Sequence, residues 1–312
     1  MEASDGRFVG IDVGKYHVDV ALGERGEVQR FKNDDEGIEQ ILGLLKGREV
    51  ERIVLEASGG YQRQLLAALL GVGWPAVAVN PRQARDFAKA MGRLEKSDKV
   101  DARTLALFGE RMKPAVRALP DEKLQDVADW LTRRRQLVEM MAAEKNRAQQ
   151  ARGAVRRDIQ QHIEWLKKRI RDSERDLPGL LVGSPVWNAQ VELLDEQKGI
   201  GRLSAVTLLA CLPELGRLNR KAIAKLAGIA PLSRDSGTLR GHRSCWGGRS
   251  VVRSCLYLVT LSAIRHHPVI RDFYRRLVAR GKLKKVALVA AMRKYLTILN
   301  ALMRDHLKRV AV

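Results

Sequence analysis

The sequence predicts an α/β N-terminal domain with a mixed sheet, a long helical middle segment and a mostly α-helical C-terminal domain. Up to about residue 118, short β-prone stretches alternate with amphipathic stretches of helical spacing. Residues 121–176 then contain no proline and a single glycine. The remainder is again helical in pattern except for one stretch rich in glycine, serine and arginine. We therefore expect domains at residues 1–118, 119–178 and 179–312.

The N-terminal part shows a run of strand patterns followed by alternating helix and strand patterns. "RFVGIDVG", "KYHVDVALG" and "VQRFKN" predict an antiparallel meander, with "ERGE" as a turn. "DDEGIEQILGLLKG" predicts a helix, "RIVLEAS" a buried strand, "YQRQLLAALLGVG" a helix and "PAVAVN" a strand, and the chain turns helical again from Pro81. The order β-β-β-α-β-α-β-α predicts a mixed sheet with helices packed on it. It resembles the ribonuclease H-like fold of RuvC-type Holliday-junction resolvases.

Composition limits the partners and the compartment. The 312 residues include 57 Lys and Arg against 36 Asp and Glu, a net charge of +21. Such an excess favours a polyanionic partner, most often nucleic acid, over the alternative of an anionic membrane surface. We see no run of about 18 apolar residues and no signal peptide in "MEASDGRFVG", so we expect no membrane span. Cys211, Cys245 and Cys255 have no C-x-x-C spacing, which argues against zinc and disulfides and for the cytoplasm.

Two aspartates in "KSDKVDARTLA" carry the first chemical signal. Asp98 and Asp101 are three residues apart, so on a helix they share one face, where like charges repel. One interpretation is an ordinary solvated face, because Lys96, Lys99 and Arg103 lie close by in the sequence. The other is that a cation offsets the repulsion.

Two further carboxylates favour the cation. Asp12 ends the first predicted strand and Glu56 ends the fourth, although singly they fit a strand-end turn and an acid near a helix N-terminus. The carboxyl ends of adjacent strands can face one crevice, and the helix after the last strand can add Asp98 and Asp101. Four carboxylates at one place are costly without Mg²⁺ or Mn²⁺, which would also serve phosphoryl transfer. Asp12, Glu56, Asp98 and Asp101 are called the acid set below.

The middle segment has an apolar repeat. Leu124, Val127, Leu131, Val138 and Met141 recur at steps of three, four or seven, which predicts one long amphipathic helix, or two, with coiled-coil character. Arg or Lys occupies several of the core positions. We expect an arm that makes the protein a homo-oligomer, a dimer or a tetramer; the alternative is a helical hairpin packed on its own chain.

The sequence Lys198-Gly199-Ile200-Gly201 precedes an apolar helical stretch. It resembles a helix–hairpin–helix motif, whose glycine turn directs backbone N–H groups at a DNA phosphate. Lys198, Gly199 and Gly201 are therefore candidate nucleic-acid-binding residues, although Gly-x-Gly turns are also common in other settings.

Several motifs together resemble one family. "GIDVGK", "LEASGGY", "VNP" and "KSDKVDA" resemble the N-terminal DEDD domain of the IS110-family transposases. "KGIGRLSAVTLLA", "AKLAGIAPLSRDSG" and "GHRSCWGGRSVVRSCLYL" resemble that family's C-terminal transposase domain, in the same order along nearly the whole chain. The resemblance implies that the acid set corresponds to the four metal-binding catalytic acids of the family.

The resemblance also implies a nucleophilic serine in "PLSRDSGTLRGHRSCWGGRSVVR", which we match to Ser236. Ser233 and Ser244 are weaker candidates, and a turn serine that caps its own backbone is the plain alternative. His242 has no acid partner at a spacing typical of a catalytic triad. A serine that attacks a phosphodiester needs positive charge nearby, and four arginines can supply it: Arg234, Arg240, Arg243 and Arg249.

The activity that the resemblance implies is DNA strand exchange through a covalent phosphoserine. The acidic and serine domains would come together in a composite site, and a structured non-coding RNA encoded by the element would pair with target and donor DNA. The charge of +21 agrees with two polyanionic partners without demonstrating the RNA. Two alternatives stay open: a metal-dependent junction-resolving nuclease in which Ser236 is structural, and a non-catalytic nucleic-acid-binding protein.

Overall fold

The computed structural model describes residues 7–57, 59–93, 98–116, 122–181, 185–233, 235–236, 239–241 and 243–310. For residues 98–100, 122–124, 178, 180–181, 185, 235–236 and 239–240 the description covers the backbone alone. The chain forms two compact units, Met1–Pro120 and Asp121–Val312. The further division of the second unit near residue 178 stays a prediction.

The first unit has the predicted order of strands and helices, with one further helix, α4 (Asp98–Met112), at its end. Its sheet is mixed, with strand order β3-β2-β1-β4-β5, antiparallel between the first three strands and parallel between the others. The elements are β1 (Phe8–Val13), β2 (His17–Leu22), β3 (Val28–Lys32), α1 (Asp35–Leu45), β4 (Arg52–Glu56), α2 (Arg63–Gly71), β5 (Ala76–Val79), α3 (Pro81–Ala90) and α4 (Asp98–Met112).

The two faces of this sheet bury different residues, because side chains alternate along a strand. On one face, Ile11 and Leu55 are fully buried in a cluster that includes Ile41 of α1 and Leu65 of α2. On the other face, Val54, Val77 and Val79 pack with residues of α3 and α4. The mixed α/β architecture predicted from the sequence is thereby confirmed.

Helix α4 contacts the sheet backbone directly at Gly10. A Cβ on Gly10 would lie 2.0 Å from the carbonyl oxygen of Ala102 and 2.3 Å from the amide nitrogen of Ala106. Further along the helix, Gly109 lies against Phe8 and Val54. The later residues of α4 therefore cover the start of β1 and the earlier residues cover its middle, so α4 runs antiparallel to β1. The N-terminal end of α4 faces the carboxyl end of β1.

The second unit is helical apart from four two-residue strands among the described residues. Its elements are α5 (Glu122–Gln150), α6 (Gly153–Leu181), α7 (Pro185–Asp195), α8 (Arg202–Cys211), α9 (Arg220–Leu226), β6 (Pro231–Leu232), β7 (Asp235–Ser236), β8 (Leu239–Arg240), β9 (Ser244–Cys245), α10 (Ser250–His266), α11 (Pro268–Ala279) and α12 (Lys284–Val310).

The middle segment is an antiparallel hairpin of two helices, α5 and α6. Leu137, Leu166 and Ile170 form its small buried core. Near its base, the indole nitrogen of Trp130 donates to the carbonyl oxygen of Ser173 at 3.1 Å. This is the intrachain hairpin that the sequence left as an alternative. Coiled-coil pairing between chains and self-association stay predictions.

The largest core lies among α7, α8, α9, α10 and α12, and the base of the hairpin joins it through Val127, Leu131 and Leu177. Helix α12 contains a window with a mean hydropathy of 1.4, long and apolar enough to cross a membrane. The expectation that no such helix exists was therefore too strict. Half of that window is buried inside the protein, with Tyr295 and Leu299 fully buried in the core.

Candidate functional site

Asp12 and Glu56 lie side by side at one edge of the sheet. Ile11 pairs with Leu55 in the parallel ladder between β1 and β4, so the next residues, Asp12 and Glu56, are neighbours in the same register. Ile11 and Leu55 point into the core with α1 and α2. Asp12 and Glu56 therefore lie on the opposite face, the one that α4 covers, and both are half-buried.

The remaining two members of the acid set begin the helix above them. Asp98 is the first residue of α4, and Asp101 follows within its first turn and is half-buried. The side chain of Asp98 lies outside the described atoms. Because the N-terminal end of α4 faces the carboxyl end of β1, the backbone brings all four acids to the same end of the unit. The helix is the second after the last strand, since α3 lies between, rather than the first as the sequence suggested.

A fifth acid, Asp19, belongs to this neighbourhood and was missed by the sequence interpretation. Asp19 pairs with Asp12 across the antiparallel ladder, so the two side chains share a face. The side chain of Asp19 is only 4% exposed and accepts hydrogen bonds from Nε and Nη2 of Arg30, at 2.9 and 2.8 Å. Arg30 thus offsets the charge of a carboxylate that lies beside Asp12. The available signal was a charged residue in the middle of the apolar strand "HVDVAL".

The donors fit a hard divalent cation. Mg²⁺ and Mn²⁺ prefer oxygen ligands such as carboxylates. Where the substrate supplies phosphate oxygens, the protein needs to supply only one or two carboxylates. Asp12 and Glu56 offer such oxygens from adjacent strands. Among the side chains that the structure describes, no group of three or more acids, histidines or cysteines is spaced to hold a metal ion. Asp12, Glu56 and Asp101 are among the described side chains and do not form such a group in this structure, whereas the side chain of Asp98 is outside that set.

The segment from Lys198 to Gly201 is a tight turn between α7 and α8. Gly199 has a φ of +101°, and a Cβ there would lie 2.8 Å from the amide nitrogen of Ala263 in α10. The carbonyl oxygen of Lys198 accepts a hydrogen bond from the hydroxyl of Tyr295 at 3.0 Å, while the Lys198 side chain is exposed. Gly199 is therefore needed for packing as well as for the turn. Phosphate binding by Lys198, Gly199 and Gly201 stays a prediction.

Ser236 lies in a small β-hairpin rather than in an irregular loop. Ser236 pairs with Leu239 and Asp235 pairs with Arg240 in the inner ladder, β7–β8. The outer ladder, β6–β9, pairs Pro231 with Cys245 and Leu232 with Ser244. The side chains of Ser236 and Arg240 are not described, and Arg234 and His242 lie outside the described residues. We call residues 231–245 the serine hairpin.

Close backbone contacts among three glycines join the base of the serine hairpin to the end of α9. A Cβ on Gly228 would lie 2.2 Å from the carbonyl oxygen of Gly247, and one on Gly248 would lie 2.3 Å from the amide nitrogen of Gly228. The guanidinium of Arg253 donates to the same carbonyl of Gly247 at 2.6 Å. The hairpin is therefore fixed to the end of α9 by backbone contact, which suits a functional segment that must present a side chain in one place.

The arginines expected to serve DNA have different settings. Arg243 is exposed, as is Ser244. Arg249 instead forms a two-point ion pair with Glu214, at 2.6 and 2.7 Å, and also donates to the carbonyl oxygen of Cys211. In this structure Arg249 ties the end of α8 to the start of α10. A direct role for Arg249 in DNA binding stays a prediction, and its tertiary partner could not have been found from the sequence.

Comparison with known proteins places both units in one family. A model of DEDD-type IS110 transposases, described as "Transposase", matches residues 9–151. A second model, described as "Transposase IS116/IS110/IS902 family", matches residues 191–275. The first match includes all four members of the acid set, and the second includes the serine hairpin and the turn at Gly199.

Two individual relatives match nearly the whole chain, and a third matches a shorter segment at higher identity. The pilin gene-inverting protein of Moraxella lacunata is 25% identical over 309 residues, 96% of each chain. The IS116 insertion-element 44.8 kDa protein of Streptomyces clavuligerus is 24% identical over 96% of this chain and 94% of its own. The IS900 insertion-element 42 kDa protein of Mycobacterium paratuberculosis is 40% identical over 86 residues, 27% of this chain and 21% of its own. The chain belongs to the IS110/IS116/IS902 family of insertion-element transposases.

Proposed function

We propose that this transposase exchanges DNA strands through a covalent phosphoserine at Ser236, with help from a divalent metal ion bound by Asp12, Glu56, Asp98 and Asp101. The observation that carries the proposal is the meeting of Asp12 and Glu56 on adjacent strands beneath the end of the helix that starts with Asp98 and Asp101. A Mg²⁺ or Mn²⁺ ion there would supply positive charge to offset the carboxylates and a DNA phosphate.

The relative that inverts a pilin gene supports exchange over simple cutting. Inverting a DNA segment requires each broken strand to be joined to a new partner. A phosphoserine conserves the energy of the phosphodiester, whereas hydrolysis would lose it. In the forward step, the oxygen of Ser236 bonds to phosphorus as the bond to the leaving deoxyribose oxygen breaks, and that oxygen takes up the proton that the serine gives up. In the return step, the hydroxyl oxygen of the new strand bonds to phosphorus as the bond to the oxygen of Ser236 breaks, and that serine oxygen takes up the proton that the hydroxyl gives up.

Further partners follow from the family resemblance. DNA is the substrate, as the net charge of +21 supports. We infer that a structured non-coding RNA guides the protein, and that the hairpin α5–α6 supports a homo-oligomer in which the acid set and the serine come together in a composite site. Acting on genomic DNA would place the protein in the cytoplasm.

The proposal is tested by trapping the intermediate. Wild-type protein with its DNA substrate, the required RNA and Mg²⁺ should give a protein–DNA adduct that survives denaturation, and mapping should place the DNA on Ser236. Ser236→Ala should lose both the adduct and recombination while keeping the fold.

Ser233→Ala and Ser244→Ala are matched controls from the same hairpin and should keep the adduct. If Ser236→Ala retains the adduct and one of these controls loses it, the assignment within the hairpin is wrong. If wild-type protein cuts DNA without any adduct, the metal-dependent nuclease is the better description. If wild-type protein binds DNA without cutting or exchanging strands, a non-catalytic nucleic-acid-binding protein is the better description.

A further inference from the structure

We propose that Tyr16 and Tyr61 form a stacking surface for an unpaired nucleobase beside the acid set. This inference rests on the proposed function only in taking nucleic acid as the ligand of that end of the sheet. Tyr16 lies three residues after the end of β1, the strand that carries Asp12. Tyr61 lies five residues after Glu56, the last residue of β4. Each tyrosine therefore belongs to the loop that follows a strand carrying a member of the acid set.

Both rings are exposed, although large aromatic side chains usually gain stability from burial. Tyr16 is 67% exposed and Tyr61 is 46% exposed. The ammonium group of Lys15 lies 4.8 Å from the centre of the Tyr16 ring, which places a positive charge beside it. An aromatic face next to a cation is the combination that single-stranded nucleic acid needs, because bases stack and the phosphate backbone is anionic.

One residue ties the two loops together. The side-chain amide of Asn33 donates to the carbonyl oxygen of Gly14 at 2.9 Å and to that of Tyr61 at 3.4 Å. The backbone amide of Asn33 donates to the carbonyl oxygen of Tyr16 at 3.0 Å. The backbones of the two tyrosines are therefore held within reach of a single residue at the end of β3, and the two loops form one surface.

The loop that carries Tyr61 is also shaped around its ring. Gly59 has a φ of +61°, and a Cβ on it would lie 3.3 Å from Cε2 of Tyr61. Gly60, with a φ of +95°, follows directly. The two glycines allow a turn that few other residues could adopt. Because Gly59 has no side chain, the ring of Tyr61 can lie close to its backbone. Neither ring enters a core cluster, so stability alone does not explain the arrangement.

The proposed ligand is an unpaired base of a strand whose phosphate lies at the acid set. Stacking tolerates any base, so this surface would position a strand without reading its sequence. It would favour substrate that is locally unpaired over intact duplex, because a paired base is already stacked between its neighbours. DNA and RNA offer the same base surface, and the experiment separates them.

The test uses full-length protein with Ca²⁺ in place of Mg²⁺, so that a divalent cation can offset the charge of the acid set, and oligonucleotides too short to contain the element ends, so that no strand exchange contributes. Short single-stranded oligonucleotides of DNA and of RNA each carry one 2-aminopurine, a base whose fluorescence falls on stacking. We expect quenching by wild-type protein with single strands and much less with the same sequence in a duplex. Tyr16→Ala and Tyr61→Ala should weaken single-strand binding by roughly 5- to 150-fold each and reduce the quenching.

Matched variants separate stacking from other causes. Tyr16→Phe and Tyr61→Phe keep the ring and should bind and quench like wild type. Tyr257→Ala removes an exposed tyrosine of α10 in the second unit and should change neither readout. The proposal is overturned if the alanine variants match wild type, if the phenylalanine variants lose as much as the alanine variants, or if neither DNA nor RNA is quenched. Quenching by only one of the two identifies the strand.

The outcome is independent of the phosphoserine. Loss of quenching in the alanine variants, together with no adduct in any protein, would support the stacking surface and reject the proposed chemistry. Normal quenching in the alanine variants, together with an adduct at Ser236, would reject the stacking surface and support the proposed chemistry.

Discussion

Asp12 and Asp19 lie directly opposite each other on β1 and β2, and Arg30 holds the carboxylate of Asp19 through two hydrogen bonds. Two carboxylates at one position of a ladder repel each other, and the guanidinium of Arg30 offsets the charge of Asp19. A basic residue from a third strand therefore lies in the neighbourhood of the acid set.

Removing Arg30 should destabilise the first unit. Arg30→Met leaves the buried carboxylate of Asp19 without its two donors, and we expect the free energy of unfolding to fall by about 1–3 kcal/mol. Chemical denaturation measures this. Arg7→Met is the control, because the ion pair of Arg7 with Glu51 is long, at 3.9 Å, and exposed; its cost should stay within about 0.5 kcal/mol. Equal effects of the two variants would contradict the role of Arg30.

Asp98→Asn should abolish strand exchange and leave DNA binding largely intact. The amide keeps the size of the side chain and removes the charge that a metal ion needs. Calorimetry should show weaker Mg²⁺ binding for Asp98→Asn and for Asp12→Asn, whereas Asp35→Asn, on the exposed start of α1, should bind Mg²⁺ like wild type. Unchanged Mg²⁺ binding in both acid-set variants would remove the basis of the metal site.

Gly10→Ala should be among the most damaging small substitutions in the first unit. Its methyl group would overlap the backbone of α4 at Ala102 and Ala106, and backbone cannot rotate away as a side chain can. We expect a loss of about 3 kcal/mol or more in the free energy of unfolding. Gly43→Ala is the control: it lies inside α1 with nothing within 4 Å of the new methyl group, so it should stabilise by about 0.5–1 kcal/mol. Thermal unfolding would show opposite shifts.

Cys245 and Cys255 should react with iodoacetamide at different rates. Burial raises the pKa of the Cys255 thiol to about 12, and that thiol donates to the carbonyl oxygen of Ser204 at 3.6 Å. A raised pKa means that the reactive thiolate is nearly absent at pH 8 and forms only in strongly alkaline solution. Cys245, in β9, is exposed and should be modified first. Mass spectrometry of native and denatured samples checks this, and modification of native Cys255 at the rate of Cys245 would contradict it.

The hairpin α5–α6 should support self-association. Its own core is small, and it leaves Met140, Val155 and Trp165 between 45% and 63% exposed. Light scattering should therefore give at least a dimer, and Trp165→Gln should weaken it. Val72→Gln, which changes an exposed apolar residue of the first unit, serves as the control. A monomer with and without nucleic acid would count against an oligomerising arm.

The sheet could be predicted from the sequence because each strand is a short apolar run bounded by turn residues. The helices between the strands were recognisable from apolar residues at helical spacing. Details that depend on partners distant in the chain were beyond it. Nothing local to Asp19 shows that register places Arg30 beside it, and nothing local to Arg249 shows Glu214. One break was misjudged for a local reason. Gly92, with a φ of +74°, follows the end of α3, so α4 is a separate helix.

The candidate site was predictable to a similar degree. The strand-end positions of Asp12 and Glu56 follow from the order of elements, and their shared register confirms that they are neighbours on one face. The surroundings of the serine were less predictable, because the contact between Gly228 and Gly248 joins segments that the sequence separates by twenty residues.

The close contact of Gly10 with α4 has a consequence for which substitutions this protein can accept during evolution. The gap between β1 and α4 is set by backbone against backbone, so it does not depend on the size of any side chain in the layer packed under α1 and α2. Apolar residues in that layer can be exchanged while the offset between the strand acids and the helix acids stays fixed.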